Sequence, residues 1–147
     1  MSFQFGAHIP FVNLLGFTLE VFADGQSEIH YAPKPEHLNS FDVTHGGACM
    51  TLLDVVMATA ARSVNQDMGV VTIEMKTSFM RPAKASPGGR LVARGRLMHR
   101  TKSMAFTEGT IFDEAGQACA HATGTFKYVA RAPSRATPGS PGAISTD

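Results

Sequence analysis

The chain has 147 residues, of which 44% are hydrophobic and 17% are charged, and its formal net charge is +1. This length and composition fit one globular domain and exclude a disordered or fibrous chain. A near-neutral chain whose arginines are not interleaved with aromatic residues is also not typical of nucleic-acid binding. No apolar run is long enough to span a bilayer and the N-terminus lacks the pattern of a secretory signal, so we expect a cytoplasmic protein with no membrane partner.

The sequence predicts a hairpin first, with strands near 16–23 and 27–32 on either side of an Asp24-Gly25 turn. Residues 33–44, which read PKPEHLNSFDVT, have the composition of a polar loop. A helix is predicted at 46–62, because this segment is apolar on nearly every side and ends in a cation, Arg62, that suits the macrodipole of a helix C-terminus.

Four further strands are predicted at 70–80, 90–100, 103–112 and 117–129, separated by short turn segments. Strands joined this tightly pair antiparallel. A helix that is apolar all round must be buried all round, and a curved antiparallel sheet wrapped around it is the simplest way to achieve that. The sequence therefore predicts an α+β domain at 1–130, followed by a disordered tail at 131–147 that has little to bury.

The segment 90–100 alternates most clearly, so one face meets the core and the other carries four guanidinium groups: Arg90, Arg94, Arg96 and Arg100. Between Met75 and Thr107 there are eight Lys or Arg residues and no Asp or Glu. We expect this part of the surface to attract anions. The two cysteines, Cys49 and Cys119, have no metal-ligand spacing and are interpreted as buried thiols.

One carboxylate, Asp54, lies in the middle of the apolar helix, where leaving it unpaired would cost several kcal/mol. The residues three and four positions away include no cation: Met50, Thr51, Met57 and Ala58. Two interpretations remain open. Asp54 either pairs with an arginine of another strand or reaches solvent, or it lines a cleft in which it serves as a base or nucleophile.

Two glycines, Gly46 and Gly47, open the helix after His45. Amide N–H groups of a first helical turn lack intrahelical partners, so they can stabilise charge on a carbonyl oxygen; alternatively, the glycines only permit a tight turn into the helix. Gly46 and Asp54 are about 12 Å apart along one helix, too far to serve one carbonyl carbon. A single reaction centre would therefore need the amide of one subunit to face the carboxylate of another across a two-fold axis.

The chain resembles hotdog-fold acyl-CoA thioesterases of the phenylacetic-acid-degradation (PaaI) and human thioesterase-superfamily-member type. The resemblance extends from about Gly16 to Val129 and rests on three stretches, NSFDVTHGGACMTLLD, VTIEMKTSFMRPA and SMAFTEGTIFDEAGQACAHATGTF. An HGG motif with Asp nine residues after its His and Asn six before it is more specific than HGG alone. The resemblance implies hydrolysis of an acyl-CoA thioester between two protomers of a homodimer, within a tetramer of two dimers, with no metal and no cofactor besides the CoA of the substrate.

The resemblance also implies roles for five residues. Asp54 falls on the catalytic carboxylate, which acts as general base or nucleophile, and Gly46 falls on the glycine whose N–H polarises the thioester carbonyl. Asn39 falls on an asparagine that helps to place water or the thioester, and His45 falls on the structural histidine that begins the motif. Thr72 falls where relatives have a hydroxyl near the nucleophilic water.

Strand parity alone gives a different interpretation of Thr72, since it predicts that Thr72 shares an exposed face with Glu74 and Lys76. The CoA contacts that we predict are Gly47, Arg81, Lys84, Arg100 and Lys102. Each of these basic side chains could equally belong to a solvated surface.

The acyl group is expected in an apolar channel near Met50, Leu53 or Phe79. Two other functions compete with thioester hydrolysis. One is a hotdog dehydratase or hydratase of acyl thioesters, which would pair a His with an acidic residue at the substrate. The other is an acyl-CoA-binding module without turnover, which would need no carboxylate at position 54.

Overall fold

The computed structural model describes residues 2–6 and 8–131. These residues contain two helices and six strands in the order α1 (Pro10–Leu15), β1 (Thr18–Ala23), β2 (Gln26–Tyr31), α2 (Gly46–Arg62), β3 (Met68–Phe79), β4 (Leu91–Arg100), β5 (Met104–Phe112) and β6 (Ala118–Ala130), and a 3₁₀ turn at Pro35–His37. The helix predicted at 46–62 and the six predicted strands are confirmed, with no strand end shifted by more than two residues.

The short helix α1 was not predicted, because six residues are too few to show helical periodicity. Its ends do carry local signals. Pro10 occupies the first helical position, and Gly16 closes the helix in the left-handed region with φ 80°. Proline at the start and glycine at the end are the residues that helix termini favour.

The six strands form one antiparallel sheet in the order β1-β2-β4-β5-β6-β3. The expectation that short turns join neighbouring antiparallel strands is correct for β4, β5 and β6. Strand β3 instead pairs with β6, and the connection 80–90 crosses from there to β4. Among the described residues, the other edge of β3 has no paired strand.

Helix α2 lies against one face of the sheet and contacts all six strands. Its residues Leu52, Leu53, Val56 and Met57 are completely buried. The helix approaches the sheet so closely at Gly95 that a side chain there would overlap the carbonyl of Val56. The predicted α+β arrangement, with a sheet around one long helix, is confirmed.

A β-bulge between Thr72 and Glu74 changes which residues of β3 face the helix. Thr72 pairs with the fully buried Phe126, so it faces α2, whereas the extra residue Ile73 moves Glu74 to the opposite face. The parity argument that placed Thr72 on the same face as Glu74 is therefore wrong, because periodicity cannot detect an inserted residue.

A second bulge, between Leu97 and His99, corrects the prediction that four arginines share one face of β4. Arg94 and Arg96 lie on the outer face, where their side chains pair with Glu28 and Glu108 respectively. Arg100 follows the bulge and instead lies over the ring of Tyr128, 4.8 Å from its centroid.

None of the helices in the described part of the chain has the length and apolar character that crossing a bilayer requires. The prediction of a disordered tail at 131–147 falls, apart from Arg131, outside the described residues.

Candidate active site

The N-terminus of α2 leaves one amide group available. His45 is the N-cap, and its Nδ1 accepts a hydrogen bond of 2.9 Å from the N–H of Gly47. The carbonyl of His45 accepts from Ala48 and Cys49. Within 2–6 and 8–131, no hydrogen bond uses the N–H of Gly46. Of the two glycine amides, Gly46 is therefore the one that is free for a carbonyl oxygen, while the N–H of Gly47, a predicted CoA contact, serves the cap.

The side chain of Asn39 organises the loop that precedes the helix. Its Oδ1 accepts hydrogen bonds from the backbone N–H groups of Phe41 (2.8 Å) and Val43 (3.2 Å), an Asx-type turn. The same loop contains Asp42 in the left-handed region with φ 57°. Because the oxygen of Asn39 is occupied, only its Nδ2 amide group is left to contact water or a thioester.

Gly46 and Asn39 line one surface cleft of about 440 Å³. The other lining residues are Val43, Thr44, Cys49, Phe79, Met80, Arg81, Pro82 and Ala83. The cleft is mostly apolar, and its lining includes the cation Arg81 and Gly46, the residue with the free amide. This combination suits an acyl group attached to a polar, anionic carrier.

Cys49 and Met80 were not identified as lining residues from the sequence. A signal for Cys49 does exist, because it lies one helical turn after Gly46 and so shares its face of α2. Burial raises the pKa of the Cys49 thiol to about 12, so it stays protonated and contributes an apolar wall. Of the three residues predicted for the acyl channel, Phe79 lines this cleft, Leu53 is completely buried in the core and Met50 is exposed.

Asp54 forms a hydrogen bond with Thr72, whose Oγ1 donates to Asp54 Oδ1 over 2.6 Å. Burial raises the pKa of Asp54 above its ordinary value, and the bond from Thr72 acts in the opposite direction. Among the described residues, no Lys, Arg or His forms an ion pair with Asp54. The structure of one chain therefore does not support the alternative in which an arginine neutralises this carboxylate.

Within one chain the amide and the carboxylate lie apart. Gly46 and Asp54 lie on the same uninterrupted helix, α2, so about 12 Å of helix axis separates them. The cleft that contains Gly46 is lined by neither Asp54 nor Thr72. Within one chain the candidate residues thus form two separate groups, which we call half-sites: one with Gly46, Asn39 and Arg81, and one with Asp54 and Thr72.

The predicted CoA contacts also fall into two places. Arg81 lines the cleft at the start of α2, and Lys84 follows it in the same connection. Arg100 lies at the other end of the helix, where its Nη1 is 3.4 Å from the carbonyl of Val64, and Lys102 lies in the adjacent turn. One chain does not bring these four cations together.

In residues 2–6 and 8–131 there is no group of three or more His, Cys, Asp or Glu residues placed to hold a metal ion.

Residues 41–120 match the thioesterase superfamily. The chain belongs to this superfamily. It is similar to human acyl-coenzyme A thioesterase 13, with 28% identity over 106 residues that cover 71% of this chain and 74% of that protein. It is 34% identical over 73 residues to a "Putative esterase" of Caenorhabditis elegans, covering 50% of this chain. The chain spans only 42% of the length of that relative.

Solved structures of similar proteins share the fold. The conserved protein PA5202 from Pseudomonas aeruginosa superimposes with a TM-score of 0.77 at 25% identity, over 84% of this chain and 97% of that one. The PaaI protein from the phenylacetic acid degradation operon of E. coli superimposes with a TM-score of 0.76 at 22% identity, over 83% of this chain and 86% of that protein. The family and the hotdog fold predicted from the sequence are confirmed.

Proposed function

We propose that this member of the thioesterase superfamily hydrolyses an acyl-CoA thioester to the free acid and CoA. The observation that carries the proposal is the hydrogen bond between Asp54, on helix α2, and Thr72, on strand β3. A partly buried carboxylate that has no cationic partner in the described residues and accepts a hydrogen bond from a hydroxyl supports a role in activating water. The similarity to an acyl-coenzyme A thioesterase supports the choice of substrate class.

In the proposed reaction, the N–H of Gly46 donates to the thioester carbonyl oxygen and stabilises the negative charge that develops there. Asp54 accepts a proton from a water molecule, whose oxygen forms the new bond to the carbonyl carbon. The carbon–sulfur bond then breaks, and the CoA thiolate receives the proton from Asp54. Direct attack by Asp54, which would give an anhydride that water then hydrolyses, is the other route open to this carboxylate.

The proposal requires a homodimer, and the edge of β3 that has no partner strand among the described residues supports one. A long edge strand with exposed apolar side chains is a template for pairing with another chain, and Val71 and Ile73 on β3 are 46% and 53% exposed. The proposal requires the two β3 strands to pair antiparallel about Met75, because this register brings Thr72 close to Phe79 of the partner subunit. Within one chain, the Phe79 ring is 3.6 Å from where a Cβ of Gly46 would be. The two half-sites would then meet across the interface.

CoA would approach from the side of Arg81. This guanidinium lines the cleft and Lys84 follows in the same connection, so both can meet the phosphates of the nucleotide. Arg100 and Lys102 lie at the other end of α2, so in this proposal they would contact the same CoA from another subunit of the assembly of two dimers that the resemblance implies. No cofactor beyond the substrate is part of the proposal.

A dehydratase or hydratase would need a histidine paired with an acidic residue in the cleft. The Nδ1 of His45 is occupied by Gly47, and the partner of Asp54 is a hydroxyl. The histidine–glutamate pairs of the described residues, His30 with Glu28 and His121 with Glu108, do not line this cleft. Hydrolysis therefore fits the site better.

The test is a thiol-release assay of the purified protein with aromatic, short-chain, medium-chain and long-chain acyl-CoAs. We expect at least one of these substrates to release free CoA with saturation kinetics. Enoyl-CoA hydration, followed in parallel as loss of the enoyl absorbance, should not occur. Absence of thiol release across the whole panel, or hydration in its place, would refute the proposal.

Thr72 should control the pH dependence of the reaction. The base must be ionised, so kcat/KM falls as the pH drops through the pKa of Asp54. That pKa is raised by burial and lowered by the bond from Thr72. Thr72→Val removes the bond, so the acid limb of the kcat/KM profile should move to higher pH, whereas Thr72→Ser should leave it in place. An unmoved limb in the valine variant would show that Thr72 does not act on Asp54.

A further inference from the structure

Besides the turn formed by Asn39, a second set of hydrogen bonds holds the loop that precedes the Gly46 amide. Tyr31, on β2, is only 1% exposed, and its hydroxyl is 2.7 Å from Nδ1 of His37. The backbone N–H of Lys34 also donates to this Nδ1, over 3.1 Å. A backbone amide is only a donor, so Nδ1 carries no proton, and the hydroxyl of Tyr31 must be the donor in its own bond.

The same histidine is connected to the cap of helix α2. The backbone carbonyl of His37 accepts a hydrogen bond of 2.9 Å from the N–H of His45. His45 in turn accepts from Gly47 through its side chain and leaves the N–H of Gly46 free. Four residues thus form a continuous series from a buried tyrosine to the first turn of the helix.

We infer that Tyr31 and His37 are positioning residues for the oxyanion-binding amide of Gly46. The inference rests on the proposed function. The side chains of Tyr31 and His37 are fixed to each other, and the carbonyl of His37 fixes the backbone of His45 just before Gly46. An amide stabilises a developing oxyanion only when it is held in place before the reaction, so loosening this support reduces transition-state stabilisation more than substrate binding.

The chain provides a matched control, because it has only two tyrosines and both support α2. Tyr128 is 4% exposed, and its hydroxyl donates over 2.7 Å to the carbonyl of Ala61, near the C-terminal end of the helix. Tyr31→Phe and Tyr128→Phe therefore remove the same group from similar surroundings at opposite ends of α2. The aromatic ring, which in Tyr31 packs edge-on against Phe17, is retained in both variants.

The experiment compares steady-state kinetics and thermal unfolding of the two variants with wild type. Both variants should lose a similar amount of Tm, but only Tyr31→Phe should lower kcat, by about tenfold, with KM little changed. His37→Asn, whose side-chain oxygen replaces Nδ1 as the acceptor, should keep more activity than His37→Leu. Equal kcat values for Tyr31→Phe and Tyr128→Phe would overturn the inference.

A readout without turnover separates this inference from the proposed function. In NMR spectra of the labelled full chain, Tyr31→Phe should shift the amide resonances of Gly46 and Gly47, whereas Tyr128→Phe should leave them in place. If wild type releases no thiol yet these shifts occur, the proposed function fails and the positioning network stands. Unchanged glycine resonances in Tyr31→Phe would refute the network itself.

Discussion

Asp54→Asn is expected to lower kcat for thiol release by roughly 10²–10⁴-fold, the range that a general base contributes. The substitution keeps the size of the side chain and an oxygen that can accept the hydroxyl of Thr72. It removes only the capacity to take a proton or to attack the thioester. Steady-state kinetics on the best acyl-CoA of the panel gives the measurement, and KM should change much less than kcat.

The matched control is Asp113→Asn. Asp113 is a turn carboxylate whose Oδ1 accepts from the backbone N–H groups of Ala115 and Gln117. This chemically identical change should leave kcat near the wild-type value, because the turn lies outside both half-sites. Activity that survives in Asp54→Asn, or is lost equally in both variants, would remove Asp54 from the reaction.

Stability should respond to Asp54→Asn in the opposite direction to activity. Burial raises the pKa of Asp54 in the folded protein above its unfolded value, so the fold favours the protonated carboxyl. That stabilising contribution is complete below the unfolded pKa and is lost as the pH rises through the folded pKa. At neutral pH the ionised carboxylate costs stability, and an asparagine does not. The Tm of Asp54→Asn at neutral pH should therefore equal or exceed that of wild type.

The long helix was predictable because its signals are local. Its 17 residues are apolar on nearly all sides, His45 and the glycines mark its start, and Arg62 marks its end. The position of β3 at the sheet edge was not predictable in this way. Turn residues report only that the chain bends, and the connection 80–90 is long enough to reach either a neighbouring or a distant strand. Pairing of β3 with β6 depends on packing between residues far apart in the sequence.

The sequence was enough to predict which residues belong to the candidate site, but not which hydrogen bonds their side chains and amides form. Spacing along the helix was enough to place Gly46 and Asp54 too far apart for one subunit. The bulge that turns Thr72 toward Asp54 could not be inferred from alternation, since one inserted residue reverses the pattern after it. For Asn39 and Gly47, sequence suggested contact with substrate, whereas the structure assigns the Asn39 oxygen and the Gly47 amide to the loop and the cap.

The second large effect is expected from Gly46→Pro, which deletes the proposed oxyanion donor. Proline is favoured at the first position of a helix, and His45 has φ −58° and ψ 138°, which a residue before proline readily adopts. A Cβ at position 46 would make only ordinary contact with Phe79. We expect kcat to fall by roughly 10²–10³-fold in Gly46→Pro, whereas Gly46→Ala, which keeps the N–H, should stay within a few-fold of wild type.

Mixing the two inactive variants then determines whether one subunit or two build each site. If the amide of one chain serves the carboxylate of its partner, a heterodimer of Asp54→Asn and Gly46→Pro contains one site with both groups intact and one with neither. Random subunit exchange gives about half heterodimers, so the mixture should recover roughly a quarter of wild-type activity. If each site lay within a single chain, every chain in the mixture would lack one group and no activity would return. Activity is measured by thiol release after subunit exchange. Recovered activity requires a site that two subunits share, and a mixture that stays inactive would exclude a shared site.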